Sequence, residues 1–369
     1  MLKLNPYRLC GPVGSLICAK SLSAGKSTMP ITQSVATAMR SAGSILLLIG
    51  AWLAVFPLQL DAADRVRIGL AALTLADSAI WIADDRGFFK KYEIDPEVVL
   101  VGGGATRPIS ALLAGDLQFS ATGGGAAISA ALGGSDTVMI ASGNNKGVQR
   151  LVVRPDIKAP EGIKGKKIGV TTYGSSGHLA LLLMLKKWGL NPEDVQVIQV
   201  GASPVMLISL QKRGIDAAML QEPFSFAAED DGFKVLGDPV SMDIHYLQNM
   251  LVSTRSYLRA HRDLVSRFIK AYVEGIAYFK KNKDESLKVL MKKMRIERGN
   301  ENYLQRSYQL SASQYFDSIP YPSMLGVKTV LEFLAKDNPK AKGADPNSFV
   351  DATFVKALDD SGFIKALYP

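Results

Sequence analysis

Cysteine and histidine are nearly missing from this chain of 369 residues, which has two cysteines, Cys10 and Cys18, and three histidines, His178, His245 and His261. Two thiols cannot build a disulfide scaffold or a four-cysteine zinc site, and the histidines are too scattered for a metal centre. No metal and no cofactor is expected. Catalytic signatures are equally scarce. There is no G-x-S-x-G nucleophile elbow and no G-x-x-x-x-G-K-[ST] phosphate loop, and Gly102-Gly103-Gly104-Ala105-Thr106-Arg107 lacks the last glycine of a dinucleotide fingerprint. Asp84-Asp85 reads as a solvated helix face rather than an acid–base pair. The 43 basic residues exceed the 34 acidic ones by nine, but they are dispersed and carry no nucleic-acid-binding signature, so no nucleic-acid partner is expected.

Long apolar runs are also absent, with one exception. Residues 44–58 (SILLLIGAWLAVFPL) follow Arg40 and lead to the small residues Ala62-Ala63. A basic flank, a short apolar core and a small-residue exit describe a secretory signal. The competing reading is an uncleaved anchor, but the run carries Pro57 and falls short of the roughly 20 residues a spanning helix needs. A leader over 1–62 is therefore expected, with Met29 or Met39 as alternative starts and 1–38 as a spurious extension. Both cysteines leave with it, and a cysteine-free product suits the oxidising periplasm. No cysteine ends the apolar run, so no lipid anchor is expected and the product should be freely soluble.

What is present is one pattern written twice. The strand-like 67–70 is followed by a polar loop, by a helix ending at Gly87, and by a second strand at 97–101 running into Gly102. One hundred residues later the strand 167–170, a loop, a helix ending at Gly189 and the strand 195–200 repeat it. Gly102 to Gly115 and Gly201 to Gly214 span the same 13 residues, with a helix at 109–113 or 205–210, and strands at 117–121 and 215–220 follow. Strands alternating with helices imply a parallel sheet, because parallel neighbours need a crossover. The fold class is α/β, with two lobes, each a parallel-type sheet flanked by helices. Strand-like 149–153 and 249–253 read as two crossing segments, so one lobe should comprise 63–149 plus 252–369 and the other 150–251. Leu264, Phe268, Tyr272, Ile276 and Phe279 keep helical spacing, as do residues near 331–334 and 354–358, and read as core stripes closing the first lobe.

In open parallel sheets, ligands bind beyond the carboxyl ends of the strands, at helix starts. Polar, glycine-rich loops occupy those places in both copies: 74–78, 102–106, 122–125, 172–178 and 202–204. The candidate ligand residues are Thr74, Asp77, Ser78, Gly104, Thr106, Thr122, Gly123, Thr172, Tyr173, Ser175, Ser176, His178, Ser203 and Glu222. Each hydroxyl could instead cap its helix. Arg107, Lys146 and Arg154 would favour an anion if they reached the cleft.

Several of these segments together resemble one family. They are Ser78-Ala79-Ile80-Trp81-Ile82-Ala83 before Gly87-Phe88-Phe89, the Gly102-Gly103-Gly104 turn, Ala111-Leu112-Leu113-Ala114-Gly115-Asp116, Gly165-Lys166-Lys167-Ile168-Gly169-Val170 and Glu222-Pro223. The chain resembles, over about 65–290, the nitrate/sulfonate/taurine/thiamine-precursor group of ABC-transporter substrate-binding proteins. That resemblance implies the type II periplasmic-binding fold and a small oxyanion or organic acid held between the lobes. It also implies delivery to a membrane permease with its ATPase, and ligand contacts at Thr74, Ser78, Gly104, Thr122, Gly123, Thr172, Ser175 and Glu222. A monomer and no enzymatic activity are expected. A secreted enzyme or a binder of the thiamine pyrimidine precursor on the same fold is the alternative.

Overall fold

The computed structural model describes residues 63–102, 104–295 and 301–368, so the expected leader and Gly103 lie outside the described residues. The chain forms two five-stranded sheets. In the first, β1 (Asp64–Leu70) pairs in parallel with both β2 (Ile94–Leu100) and β3 (Phe119–Thr122). Helices α1 (Ser78–Asp85), α2 (Phe88–Lys91) and α3 (Thr106–Leu113) make the crossovers, and α4 (Gly124–Leu132) leads to β4 (Thr137–Lys146). The chain then passes to the second sheet through β5 (Arg150–Val153). There β6 (Lys167–Val170) pairs in parallel with β7 (Gln196–Gln199) and β8 (Ala217–Leu220). Its crossovers are α5 (Ser176–Lys187) and α6 (Ser203–Gln211), and α7 (Phe224–Asp230) leads to β9 (Lys234–Gly237).

The long strand β10 (His245–Thr254) returns to the first sheet, where it lies antiparallel between β3 and β4. Orders β2-β1-β3-β10-β4 and β7-β6-β8-β5-β9 are the same arrangement. Each sheet is therefore mixed rather than purely parallel, because β10 and β5 run against their neighbours on both sides. Two expectations need correction. The strand Thr137–Lys146, buried almost throughout, is an element that the sequence pattern did not single out. Residues 245–251, expected in the second lobe, belong to the first sheet, since pairing begins at His245 opposite Lys146.

Alternation along the strands packs both faces of each sheet. Val138, Ile140 and Leu251 join one core while Met139, Met250 and Val252 join another. In the second sheet Leu151 and Val153 face one side and Val152 the other. After β10 come the short α8 (Arg255–Ala260) and the long α9 (Arg262–Lys281), which brings Leu264, Phe268, Tyr272, Ile276 and Phe279 into the first core, as its spacing predicts. Phe268 stacks on Phe119 of β3 with centroids 3.9 Å apart. After it come α10 (Lys283–Met294), α11 (Glu301–Leu310), a π-turn at Ser311–Tyr315 and α12 (Met324–Leu334). Asp84 and Asp85 are not a solvated face: Asp84 pairs with Lys293 of α10 at 2.8 Å, and Asp85 lies 3.5 Å from Lys292.

Helix α9 crosses α1 where only glycine fits. A Cβ on Gly275 would fall 2.3 Å from the Ala79 carbonyl oxygen, a backbone atom that cannot swing away. Alanine normally favours a helix interior over glycine by about 1 kcal/mol. Here overpacking reverses the sign, and Gly275→Ala is expected to lower the free energy of unfolding by about 1–3 kcal/mol in urea titrations.

Candidate functional site

The parallel strands of both sheets end at one kind of edge, and a helix starts just beyond each tip. Helices α3, α4, α6 and α7 begin at the caps Ala105, Gly123, Ala202 and Pro223, none of which has a side-chain hydrogen bond to the first turn. The Gly124 and Gly125 N–H groups of α4 and the Ser203 N–H of α6 have no partner among the described residues and can meet a bound solute, whereas Pro108 and Pro204 carry no N–H and the Ser225 N–H of α7 already donates to the Gln221 carbonyl at 3.1 Å. Only α5 among these crossover helices is capped from its own side chain, Ser175 accepting from the His178 N–H at 3.3 Å. Each such terminus contributes roughly 0.3–1 kcal/mol toward an anion, up to about 2 when partly buried. A micromolar complex needs about 8 kcal/mol, so direct hydrogen bonds must add to them.

The candidate residues fall into three groups. In the first sheet, Asp77 is buried under the start of α1 and accepts from Asn249 Nδ2 at 2.9 Å and from Thr74 Oγ1 at 3.1 Å. Burial pushes its carboxyl up to about 7, against the lowering effect of the Asn249 and Thr74 bonds. Two hydroxyls are committed to the fold: Ser78 donates to the Leu75 carbonyl, and Thr122 donates to the Ala105 carbonyl at 2.9 Å. The Thr122 bond ties the loop after β3 to the loop after β2, where Gly104 adopts φ +84° and Thr106 opens α3 at the surface. Gly123 remains as the uncapped start of α4.

The second group surrounds the start of α5. Gln149, just before β5, donates to Ser176 Oγ at 3.0 Å. The Gly174 N–H donates to His178 Nδ1 at 3.0 Å, and burial together with Lys336, just past the end of α12, lowers the imidazole pKa. Exposed Thr172 and Tyr173 precede the turn, and nearly buried Ser203 opens α6 after β7.

In the third group Glu222, beyond β8, accepts from Tyr315 of the π-turn at 3.0 Å. Burial pushes its carboxyl up to about 7, opposed by its hydrogen bonds and by Arg150. This contact joins the second sheet to the helices that follow the first, and charge reinforces it. Arg306 pairs with Asp230 at 2.9 Å and stands 4.3 Å from the Phe226 ring, while Arg150 covers the same ring at 5.3 Å and pairs with Glu229 at 2.6 Å. Lys280 holds the turn in place by donating to the Ala312 and Phe316 carbonyls.

Several participants escaped the sequence reading. Asn249 fixes Asp77, Gln149 reaches Ser176, and Asn144, Gln149 and Gln248 each keep one buried side-chain polar atom without a hydrogen-bond partner among the described residues. An unmade bond at such an atom costs about 1–3 kcal/mol, which a polar solute could recover. The signal was present: Asn144-Asn145 and Gln248-Asn249 are amide pairs inside otherwise apolar strands. The cationic candidates fare less well. Arg154 pairs with Asp156 and Asp216 at the opposite edge of its sheet, Lys146 donates to the Gln314 carbonyl, and Arg107 is exposed on α3.

Two tests follow from the buried carboxyls. Folded Asp77 holds its proton to about pH 7, whereas the unfolded group titrates near 3.8. Its contribution is thus intact below about pH 4 and is lost as pH rises toward 7. The stability of the native chain relative to Asp77→Asn should accordingly fall across that window, by up to about 1.4 kcal/mol per pH unit in urea titrations at stepped pH. Tyr315→Phe removes one hydrogen bond to a buried carboxyl and should lower stability by about 1–2 kcal/mol.

Comparison with known proteins agrees with this geometry. The structure of the periplasmic aliphatic sulphonate binding protein SsuA from Escherichia coli superposes with a TM-score of 0.66 at 19% identity, covering 79% of this chain and 99% of that one. The periplasmic nitrate-binding protein NrtA from Synechocystis PCC 6803 gives 0.61 at 13% identity, covering 83% and 91%. The α/β two-sheet architecture is therefore that of periplasmic binding proteins. In sequence, the chain is 28% identical over 229 residues to the taurine-binding periplasmic protein of Escherichia coli (strain K12), covering 61% of this chain and 70% of that protein. The NMT1/THI5-like family model matches residues 77–286, more than half of the chain, which bears out the resemblance carried by the motifs. The protein belongs to the NMT1/THI5-like family.

Proposed function

We propose that this protein is the periplasmic solute-binding component of an ABC importer. It takes a small oxyanion or organic acid, sulfonate-, nitrate- or taurine-like, at the strand tips and hands it to a membrane permease driven by an ATPase. The observation that carries this reading is the gathering of uncapped helix starts beyond the strand tips of both sheets. Amide donors fixed by helices suit an oxyanion because they stabilise negative charge without bringing a counter-charge that must be desolvated.

The two sheets act as two lobes. The first comprises 63–149 and, with its boundary moved to the start of β10, the residues from 245 onward; the second is 150–244. The lobes are linked by 147–149 and 238–244 and close on the solute by rotation about those segments. Residues 1–62 act as the leader that sends the chain to the periplasm. The protein works as a monomer and performs no chemistry on its cargo. Relatives named for taurine, sulphonate and nitrate support the class of solute.

A thermal-shift screen tests this reading. Taurine, alkanesulfonates, nitrate, simple carboxylates and pyrimidines are each added to the processed protein. A solute that binds only the folded state adds about 2.7 kcal/mol at a hundred times its Kd, a rise of several degrees in Tm. A melting temperature indifferent to all of them would overturn the assignment.

A further inference from the structure

Helix α7 of the second lobe is held at both ends by residues of the first. Just before its first turn, Glu222 accepts from Tyr315 at 3.0 Å, and its last residue, Asp230, pairs with Arg306 at 2.9 Å. Glu229 lies 3.5 Å from the same guanidinium. The helix has seven residues, so at 1.5 Å of rise per residue the two contacts stand about 10 Å apart. Both partners are anchored in the first lobe. Arg306 stands on α11, whose Leu304 and Tyr308 join the first core. Tyr315 stands on the π-turn, which Lys280 of α9 and Lys146 at the end of β4 both hold by its carbonyls.

The composition of α7 is matched to this contact rather than to its own lobe. Its last turn holds Glu229 and Asp230 with no basic residue, and Asp231 follows. Acidic side chains at a helix C-terminus oppose the helix dipole. Arg150 answers Glu229 from within the second lobe, whereas Asp230 pairs with Arg306 across the lobes. Phe226, in the middle of the helix, is only 7% exposed, yet it belongs to none of the four cores. Its ring has Arg306 at 4.3 Å and Arg150 at 5.3 Å, so part of its cover comes from the first lobe.

One contact between two bodies is a pivot, but contacts at both ends of a helix fix an angle. Rotation about 147–149 and 238–244 must release at least one of them and uncover part of the Phe226 ring. We infer that α11 and the π-turn clasp α7 across the hinge and hold the lobes of the solute-free protein at one angle. Rotation then passes between discrete positions instead of proceeding freely. The clasp takes the two lobes from the reading above but needs no solute, so either can fail without the other.

The distance between two spin labels on the solute-free protein tests the inference. Cys10 and Cys18 lie in the expected leader, so the processed chain takes labels only where cysteine is introduced. Ala114→Cys and Lys212→Cys place them on the exposed C-caps of α3 and α6, one on each lobe. This background should give a single narrow distance distribution. Arg306→Gln, Asp230→Asn or Tyr315→Phe frees one end of α7 and should broaden it. Arg306→Gln with Tyr315→Phe should broaden it further or move its mean. Lys293→Gln removes an ion pair of 2.8 Å inside the first lobe and should change nothing. Circular dichroism checks that each variant is folded, and if the double variant is not, the single variants decide. A broad distribution at the outset, a narrow one indifferent to every clasp variant, or equal broadening by Lys293→Gln would overturn the clasp.

Discussion

Two parallel strands cannot be joined by a hairpin, and the rest of this structure follows from that restriction. Each return to the sheet needs a crossover, here helical, so the first helix after each parallel strand begins at that strand's tip. The chain does this in two sheets of the same order. The unpaired amides that every helix start carries are thereby collected on defined edges rather than scattered over the surface. The collection of amide donors on those edges is thus a by-product of topology, and the particular side chains refine it.

Buried carboxyls supply the refinement and place a constraint on it. Asp77 is held by Asn249, which stands on the strand that returns from the other sheet. Glu222 is held by Tyr315, which stands on a turn far along the chain and is itself fixed by Lys280. Each carboxyl at the strand tips is therefore positioned by a residue that arrives late in the sequence. Burial raises both carboxyls to about 7, so neither imposes a full negative charge on the strand tips at neutral pH.

That arrangement explains which features were legible in the sequence. The parallel strands, their crossover helices and the polar loops repeat at an interval near one hundred residues, and local periodicity and glycine placement suffice to read them. The stripe on α9 was equally plain. By contrast, Thr137–Lys146 has no alternation to read, because it is buried on both faces and ends in Asn144-Asn145-Lys146. The start of β10 at His245 was hidden for a similar reason, its first residues being polar and partly exposed. Within the site, loop positions were predictable but partners were not. Whether Thr122 reaches a solute or the Ala105 carbonyl depends on how two loops from different strands approach each other, and no local pattern encodes that.

The inserted strands bear on the order in which the molecule can assemble. Every strand of the second sheet lies between Arg150 and Gly237, whereas β4 of the first sheet stays apart from β3 until β10, ending at Thr254, slides between them. A polypeptide emerging amino-terminus first thus exposes β4, a ten-residue apolar-rich strand with no neighbour in its own sheet, for about a hundred residues of synthesis or export. The later-made half can complete its backbone pairing before the earlier one. During that interval an unsealed ribbon edge, rather than any weakness of the finished fold, is where misassembly threatens.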